Sequence, residues 1–190
     1  LLLHHLEWLQ GAQDRIVVTG AHHLEISTFL HSGQQAEALE ALGPELPRVI
    51  VNPSHELGQF SSLQAGLSVL VVDGGPALGT SATSATVLPV VVLPVDVPPL
   101  KGVELDELVE ATRFPGVRVA IPQHKGRDGH PVVLAPAAVF EILDRPLDTT
   151  LRDYIRDQGD AVVRVPTTLG AVLEDLDSPE DVLSLRLETE

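Results

Sequence analysis

Short runs rich in valine and isoleucine alternate along the chain with segments in which apolar residues recur at helical spacing. This alternation predicts an α/β fold, because each run can form a buried strand and each amphipathic segment a helix that covers the sheet. Several runs lack polar residues at alternate positions, which is typical of central strands in a parallel sheet. We therefore expect a mostly parallel sheet built from Arg15–Thr19, Arg48–Val51, Pro89–Val95, Val117–Ile121, Pro131–Leu134 and Ala161–Val165.

Helical spacing predicts the elements between these strands, and two of the helix starts carry capping residues. Thr150 and Ser178 each stand before a helix with an aspartate three residues later, which satisfies free amides of the first turn. The segment Asp73–Thr86, rich in glycine, serine, threonine and alanine, is expected to be an exposed, mobile connection inside a single domain of residues 1–190. The predicted helices are His22–His31, Gln34–Leu42, Gln59–Leu70, Leu105–Thr112, Ala137–Leu143, Leu151–Gln158 and Pro179–Leu185.

The charge of the chain limits the partners it can have. Lysine and arginine number 12 against 27 aspartates and glutamates, so the formal net charge is −15. This excess repels phosphate backbones and anionic lipids, so we expect binding neither to nucleic acid nor to a membrane. The chain has no cysteine, which excludes disulfides and thiolate chemistry, and no apolar run approaches the roughly 20 residues that span a bilayer. We expect a cytoplasmic protein.

The first residues read like the middle of a longer sequence. No methionine occurs anywhere, and Leu2, Leu3, Leu6 and Leu9 follow a helical pattern with no capping residue before them. Helices commonly begin after Ser, Thr, Asp or Asn. We therefore expect a further segment upstream of Leu1.

Asp96 is the sharpest candidate for chemistry. It follows the apolar run that ends at Val95, and proline residues stand on both sides of it. A carboxylate at the C-terminal end of a buried strand lies where ligands of open α/β sheets bind, and a hard oxygen ligand there suits Mg²⁺ bridging to substrate phosphates. The alternative is that Asp96 only opens a turn before Pro98.

A second acidic group lies near the end of the chain, in the segment DLDSPED. Asp175 and Asp177 precede the helix cap at Ser178 and alternate in the extended direction, so both could face a cation. The alternative is that these acidic residues only stabilise the start of a helix, where the positive end of the helix dipole favours negative charge.

Two loops could contact a ligand. After Gly58, a helix start carries Gln59, Ser61 and Ser62, whose amides and hydroxyls could hold a phosphate or a base edge; the alternative is that the serines are simple caps. In the segment GRDGHP, Arg127 and His130 could donate to an anion, or the segment could be a plain hairpin turn.

Six segments together resemble one family: RIVVTGAH, VNPSHELGQFSSLQAGL, VVVLPVDVPPL, GRDGHPVVL, TTLRDYIR and DLDSPEDV. The chain resembles the MobA-like NTP transferases, in particular the MocA-like branch that joins a nucleotide to molybdopterin. The resemblance implies a three-layer, Rossmann-like nucleotidyltransferase fold with a mostly parallel sheet and helices on both faces. It also implies transfer of a nucleoside monophosphate from an NTP to a phosphate-bearing acceptor, with Mg²⁺ and release of pyrophosphate.

The resemblance assigns roles to particular residues. Asp96 would be the principal Mg²⁺ ligand, Asp177 a second ligand, and Asp175 would lie beside it. The nucleotide, expected to be CTP, would contact Gly58, Gln59, Ser61, Ser62 and Gly66. The acceptor, expected to be molybdopterin destined for a molybdoenzyme, would contact Arg127, Gly129, His130 and Pro131.

The chain departs from the family in one respect. The glycine-rich signature L-A-A-G-x-S-x-R-M-G-x-x-K, which supplies backbone donors and cations for the triphosphate, is expected ahead of Leu1 and does not occur in the 190 residues. This departure leaves a truncated, inactive homologue or a non-catalytic binding module as alternatives. An oxidoreductase on the same fold is a third, although no G-x-G-x-x-G follows any predicted strand.

Overall fold

The computed structural model describes residues 1–32, 46–74, 88–98, 100, 105–178 and 180–181. The strands within these ranges are β1 (Ile16–Thr19), β2 (Arg48–Val51), β3 (Val90–Val92), β4 (Val119–His124), β5 (Arg127–Asp128), β6 (Val132–Leu134) and β7 (Val162–Pro166). The α-helices are α1 (Leu2–Trp8), α2 (His23–His31), α3 (Gln59–Gly74), α4 (Leu105–Ala111), α5 (Pro136–Leu143) and α6 (Leu151–Gln158). Short 3₁₀ turns cover His55–Leu57, Gly159–Ala161 and Gly170–Leu173.

The strands pair in both directions, so the expectation of a mostly parallel sheet is not confirmed. β1 and β2 form a parallel pair, and β7 runs parallel to β4. β6 lies between β3 and β4 and is antiparallel to both, and β5 is antiparallel to β4. The reason is the short link from β4 to β6, because a parallel connection needs a crossover of a dozen or more residues.

Helices cover both faces of the five-stranded sheet, which confirms the three-layer arrangement. Alternate residues of a strand point to opposite faces. On one face, side chains such as Val119 and Leu134 pack against α3, α5 and α6. On the other, Ala120 and Val133 pack against α4. No helix among the described residues is both long enough and apolar enough to cross a membrane.

Both predicted helix caps are confirmed. The amide of Asp153 donates to the Oγ1 of Thr150 at 3.0 Å, at the start of α6. The amide of Asp181 donates to the Oγ of Ser178 at 3.2 Å, and the amide of Ser178 donates to the Oδ2 of Asp181 at 2.8 Å. The second pair is a reciprocal capping box, with Asp in the place of Glu.

Several predicted boundaries differ from the structure. β3 ends at Val92, before the predicted end at Val95, because Pro94 has no amide with which to continue a strand ladder. α3 continues to Gly74, so the first two residues of the segment Asp73–Thr86 are helical and the remainder lies outside the described residues. The predicted helix Gln34–Leu42 also lies outside them, as does most of Pro179–Leu185.

α1 has no side-chain cap, as its sequence predicts, and it carries a buried histidine. The Nε2 of His5 lies 3.4 Å from the carbonyl oxygen of Val95, so α1 is tied to the segment that follows β3. Burial lowers the pKa of His5, and the contact with this carbonyl partly opposes that effect. His5 is therefore held as the neutral imidazole.

This burial makes the free energy of unfolding depend on pH. The pKa of His5 is lower in the folded chain than the value of about 6.5 expected on unfolding. Unfolded chains then bind more protons than folded ones just below pH 6.5, so stability falls as the pH drops through that range. In His5→Gln, which keeps a donor but cannot titrate, we expect a flatter pH dependence of urea unfolding between pH 7.5 and 5. An unchanged slope in His5→Gln would contradict the assignment.

Candidate functional site

One large cavity, of about 2470 Å³, collects most of the residues that the sequence singles out. Its walls include segments that follow β2, β3, β5 and the 3₁₀ turn Gly170–Leu173, together with residues of α1, β1, β3 and α4. The predicted site residues that line it are Gly58, Gln59, Ser62, Gly66, Asp96, Gly129, His130, Asp175 and Asp177. Ser61, Arg127 and Pro131 do not line it.

Asp96 lies in a turn four residues beyond the end of β3. The amide of Leu176 donates to the backbone carbonyl of Asp96 at 2.7 Å. Leu176 stands between Asp175 and Asp177, so this bond holds the two acidic segments together although they are far apart in sequence. All three aspartates line one cavity, and Asp96 and Asp175 both act electrostatically on His130.

The loop that contains Gly129 and His130 packs directly against the same C-terminal segment. The amide of His130 donates to the carbonyl of Val172 at 2.8 Å, and the amide of Gly129 donates to that of Pro122 at 2.9 Å. A Cβ atom on Gly129 would lie 2.3 Å from the carbonyl oxygen of Val172, so only glycine fits here. Asp175 and Asp177 follow Val172 within five residues, so this contact fixes the start of the segment that carries both carboxylates.

The ring of His130 lies close to the carboxylates. Its Nδ1 is buried and has no hydrogen-bond partner among the described residues. Burial lowers the pKa of His130, while the charges of Asp175 and Asp96 act in the opposite direction. Burial has the larger effect, so the ring is a neutral imidazole near an acidic cluster.

Asn52 organises the loop between β2 and α3. Its amide Nδ2 donates to the Oγ of Ser61 at 2.8 Å and to the Oγ of Ser62 at 3.1 Å. Its Oδ1 accepts from the amide of Ser54 at 2.9 Å. The residue is buried, so these bonds satisfy polar groups that would otherwise be unpaired.

This network separates the roles of the two serines. Ser61 is buried, and its hydroxyl donates to the carbonyl of Gly58 at 2.7 Å and accepts from Asn52, so it is engaged within the loop and the first helical turn. Within the described residues, no amide of the first turn donates to this hydroxyl as it would to a cap. Ser62 lines the cavity, together with Gly58 and Gln59 at the N-terminus of the 16-residue helix α3. Sequence reasoning did not single out Asn52, although an asparagine between a strand and Pro53 is a recognisable turn signal.

Arg127 does not line the cavity. Lys125 and Gly126 have positive φ angles of 48° and 80° and form a tight hairpin turn, and His124 then pairs with Arg127. Residues 124–128 therefore form a hairpin turn, which was the alternative interpretation of this segment. Arg127 is exposed on β5, while Pro131 is buried beside His130.

Asp96, Asp175 and Asp177 are the predicted ligands whose carboxylates could hold a cation in this cavity, which Asp14, Asp106, Asp128 and Asp148 also line. Within the described parts of the chain, no three histidine, aspartate or glutamate side chains form a metal centre by themselves. Mg²⁺ is commonly held by one or two carboxylates, with the remaining positions filled by substrate phosphates and water. The hard oxygen donors of the cavity fit such an ion.

Solved structures with a similar fold come from mycobacteria. Rv0371c from Mycobacterium tuberculosis H37Rv gives a TM-score of 0.64 at 13% identity, over 96% of this chain and 83% of that chain. The complex of Rv0371c with manganese gives 0.63 at 14%, over 96% and 85%. A homologue of Rv0371c from Mycobacterium sp. strain JC1 gives 0.60 at 16%, over 98% and 82%. These similarities establish the fold alone, and no curated protein sequence matches the chain.

A family model matches the sequence over residues 1–162, and its description is a MobA-like NTP transferase domain. The match includes Asp96, the start of α3 and the His130 loop, and it ends before Asp175. It spans most of the chain, so it does not depend on any single motif. The MocA-like branch within the family stays a prediction. The chain belongs to the family of MobA-like NTP transferase domains.

Proposed function

We propose that the protein transfers CMP from CTP to the phosphate of a molybdopterin-type acceptor and releases pyrophosphate. Membership of the NTP transferase family supports nucleotidyl transfer as the reaction class. The observation that carries the proposal is the bond from the amide of Leu176 to the carbonyl of Asp96, which gathers carboxylates from two distant segments at one cavity. The N-terminus of α3 opens into the same cavity.

A divalent cation, Mg²⁺ or Mn²⁺, would be held by Asp96 and Asp177, with Asp175 beside them. When bound, it neutralises the phosphates and stabilises the charge on the leaving group. The carboxylates alone would repel a triphosphate, so the acidic cavity is consistent with a metal requirement. The complex of Rv0371c with manganese supports this choice of ion.

The nucleotide would bind at the helix start after β2. Gly58, Gln59 and Ser62 line the cavity there and carry no formal charge. Base selection would then rest on backbone groups, a hydroxyl and an amide. A Cβ on Gly66 would lie 3.0 Å from Cγ2 of Val18, so Gly66 would act by letting α3 pack closely on β1. Ser61 would act indirectly, because Asn52 and Gly58 occupy its hydroxyl.

The acceptor would lie next to Gly129 and His130. An oxygen of the acceptor phosphate attacks the α-phosphorus of CTP, the bond from that phosphorus to the oxygen bridging to the β-phosphate breaks, and pyrophosphate leaves. No protein nucleophile is needed, because positioning and charge neutralisation carry this type of transfer. Pro131 shapes the loop from the buried side, and Arg127 would contact only an acceptor that extends beyond the cavity. In this proposal the product is delivered to a molybdoenzyme, and the protein acts in the cytoplasm.

The test is pyrophosphate release by the full-length protein with each NTP and molybdopterin. We expect turnover only with Mg²⁺ or Mn²⁺, none with EDTA, and CTP faster than GTP by about 10-fold. That ratio corresponds to roughly two hydrogen bonds of about 0.5–1.5 kcal/mol each. Faster reaction with GTP or ATP would contradict the choice of base. Absence of pyrophosphate with every NTP and with pterin or sugar-phosphate acceptors would contradict the reaction.

A further inference from the structure

The described wall of the cavity carries more acidic side chains than basic ones. Seven aspartates line it, so a phosphate dianion that enters meets an unfavourable charge. In the proposed reaction a divalent cation neutralises the triphosphate of the nucleotide, but the phosphate of the acceptor also needs a positive partner. Arg127, which the sequence predicts for that role, does not line the cavity. The partner has to come from another part of the wall.

Four arginines of the described chain line the cavity, and they differ in how the protein engages them. Three are held by groups of the protein itself: Arg48 by Asp14, Arg113 by Glu110 and Arg15 by the carbonyl of Leu6. The fourth, Arg152, has no ion pair or hydrogen bond within the described residues. The next carboxylate on its helix is already engaged, because Asp153 accepts from the hydroxyl of Thr150 and pairs with Arg156. The guanidinium of Arg152 is therefore available to an anionic ligand.

Buried neighbours fix the position of Arg152 on α6. Leu151 and Ile155 are four residues apart and so lie on the same side of the helix. Both pack against the core cluster that contains Phe60 of α3 and Val132 of β6, the strand that follows the acceptor loop. Leu151 and Ile155 also line the cavity, as Arg152 does. The helix that carries the free guanidinium therefore rests on the same core as the nucleotide helix and the acceptor loop.

We propose that Arg152 binds the phosphate group of the acceptor, an inference that rests on the proposed nucleotidyl transfer. A planar guanidinium can donate two parallel hydrogen bonds to two oxygens of a phosphate, which leaves the third oxygen for attack on the nucleotide. A lysine ammonium supplies the charge without this geometry. The cavity then holds its two anions with two different cations: the divalent ion binds the triphosphate, and Arg152 binds the acceptor phosphate.

The first test is the KM of the full-length protein for molybdopterin, measured with saturating CTP and Mg²⁺. Arg152→Gln should raise this KM by about 10-fold or more, because hydrogen bonds between charged groups are lost. The kcat and the KM for CTP should stay as in the wild type, and Arg152→Lys should fall between the two. Arg156→Gln is the matched control and should match the wild type, because Arg156 lies on the same helix but does not line the cavity. An unchanged KM for molybdopterin in Arg152→Gln, or an equal rise in the KM for CTP, would overturn the proposal.

The second test needs no turnover, so it separates this proposal from the reaction. The probe is phenyl phosphate, a phosphate monoester without a nucleotide, added in EDTA so that no divalent cation can bring it to the carboxylates. It should shift the Nε–H resonance of Arg152, which is assigned by its loss in Arg152→Lys, and leave that of Arg156 in place. Sodium chloride at the same ionic strength should shift neither. A saturable shift would support the site even if no NTP yields pyrophosphate, whereas absence of a shift would overturn the site even if the reaction proceeds.

Discussion

Replacing Asp96 by asparagine should lower the kcat of nucleotidyl transfer by about 100-fold or more. The carboxylate would be the principal ligand of the divalent cation, and loss of a few kcal/mol of charge stabilisation in the transition state corresponds to this factor. The fold should be retained, because the bond from Leu176 ends on the backbone carbonyl of Asp96 and not on its side chain. The measurement is pyrophosphate release over a titration of Mg²⁺, with calorimetry of CTP binding.

The control for this variant is Asp160→Asn. Asp160 is exposed in the turn before β7 and does not line the cavity, yet its loss changes the net charge by the same amount. It should react like the wild type. Undiminished CTP affinity in Asp96→Asn, or undiminished affinity of the wild type in EDTA, would contradict the metal role.

Replacing Gly129 by alanine should destabilise the protein and weaken the site together. The added Cβ would lie 2.3 Å from the carbonyl oxygen of Val172, which is backbone and cannot rotate away. The two segments must separate, so the bond from the amide of His130 to Val172 is lost or lengthened. We expect a loss of about 3 kcal/mol in unfolding free energy, at the upper end for overpacking. At this chain length that loss lowers Tm by roughly 6–12 °C.

The effect on activity should exceed the effect on stability at a temperature where the variant is folded. Asp175 and Asp177 follow Val172 closely, so displacement of that residue moves both carboxylates away from Asp96. Gly170→Ala is the matched control, because a Cβ there meets nothing within 4 Å and the backbone has no positive φ. Equal Tm values for the two variants would contradict the close packing at Gly129.

Local sequence patterns identify some of the residues that line the cavity and miss others. Asp96, Asp177 and Ser62 are residue types and positions that local pattern can identify, and the structure places all of them at the cavity. Asn52 was missed, because its importance lies in hydrogen bonds to serines nine and ten residues away. Arg127 was predicted at the acceptor side, but the hairpin turn at Lys125 directs it to the surface.

The sequence by itself determined the α/β class, the order of the described strands and helices apart from the two-residue strand β5, and the caps at Thr150 and Ser178. These features depend on residue types within a few positions of one another, so local spacing is enough to predict them. The tertiary structure decided the antiparallel insertion of β6, and the meeting of Asp96 with the segment around Leu176. The short link between β4 and β6 already favours antiparallel pairing of these two strands. The position of β6 between β3 and β4, and the contact at Leu176, depend on which distant backbones pair, and sequence spacing does not specify that.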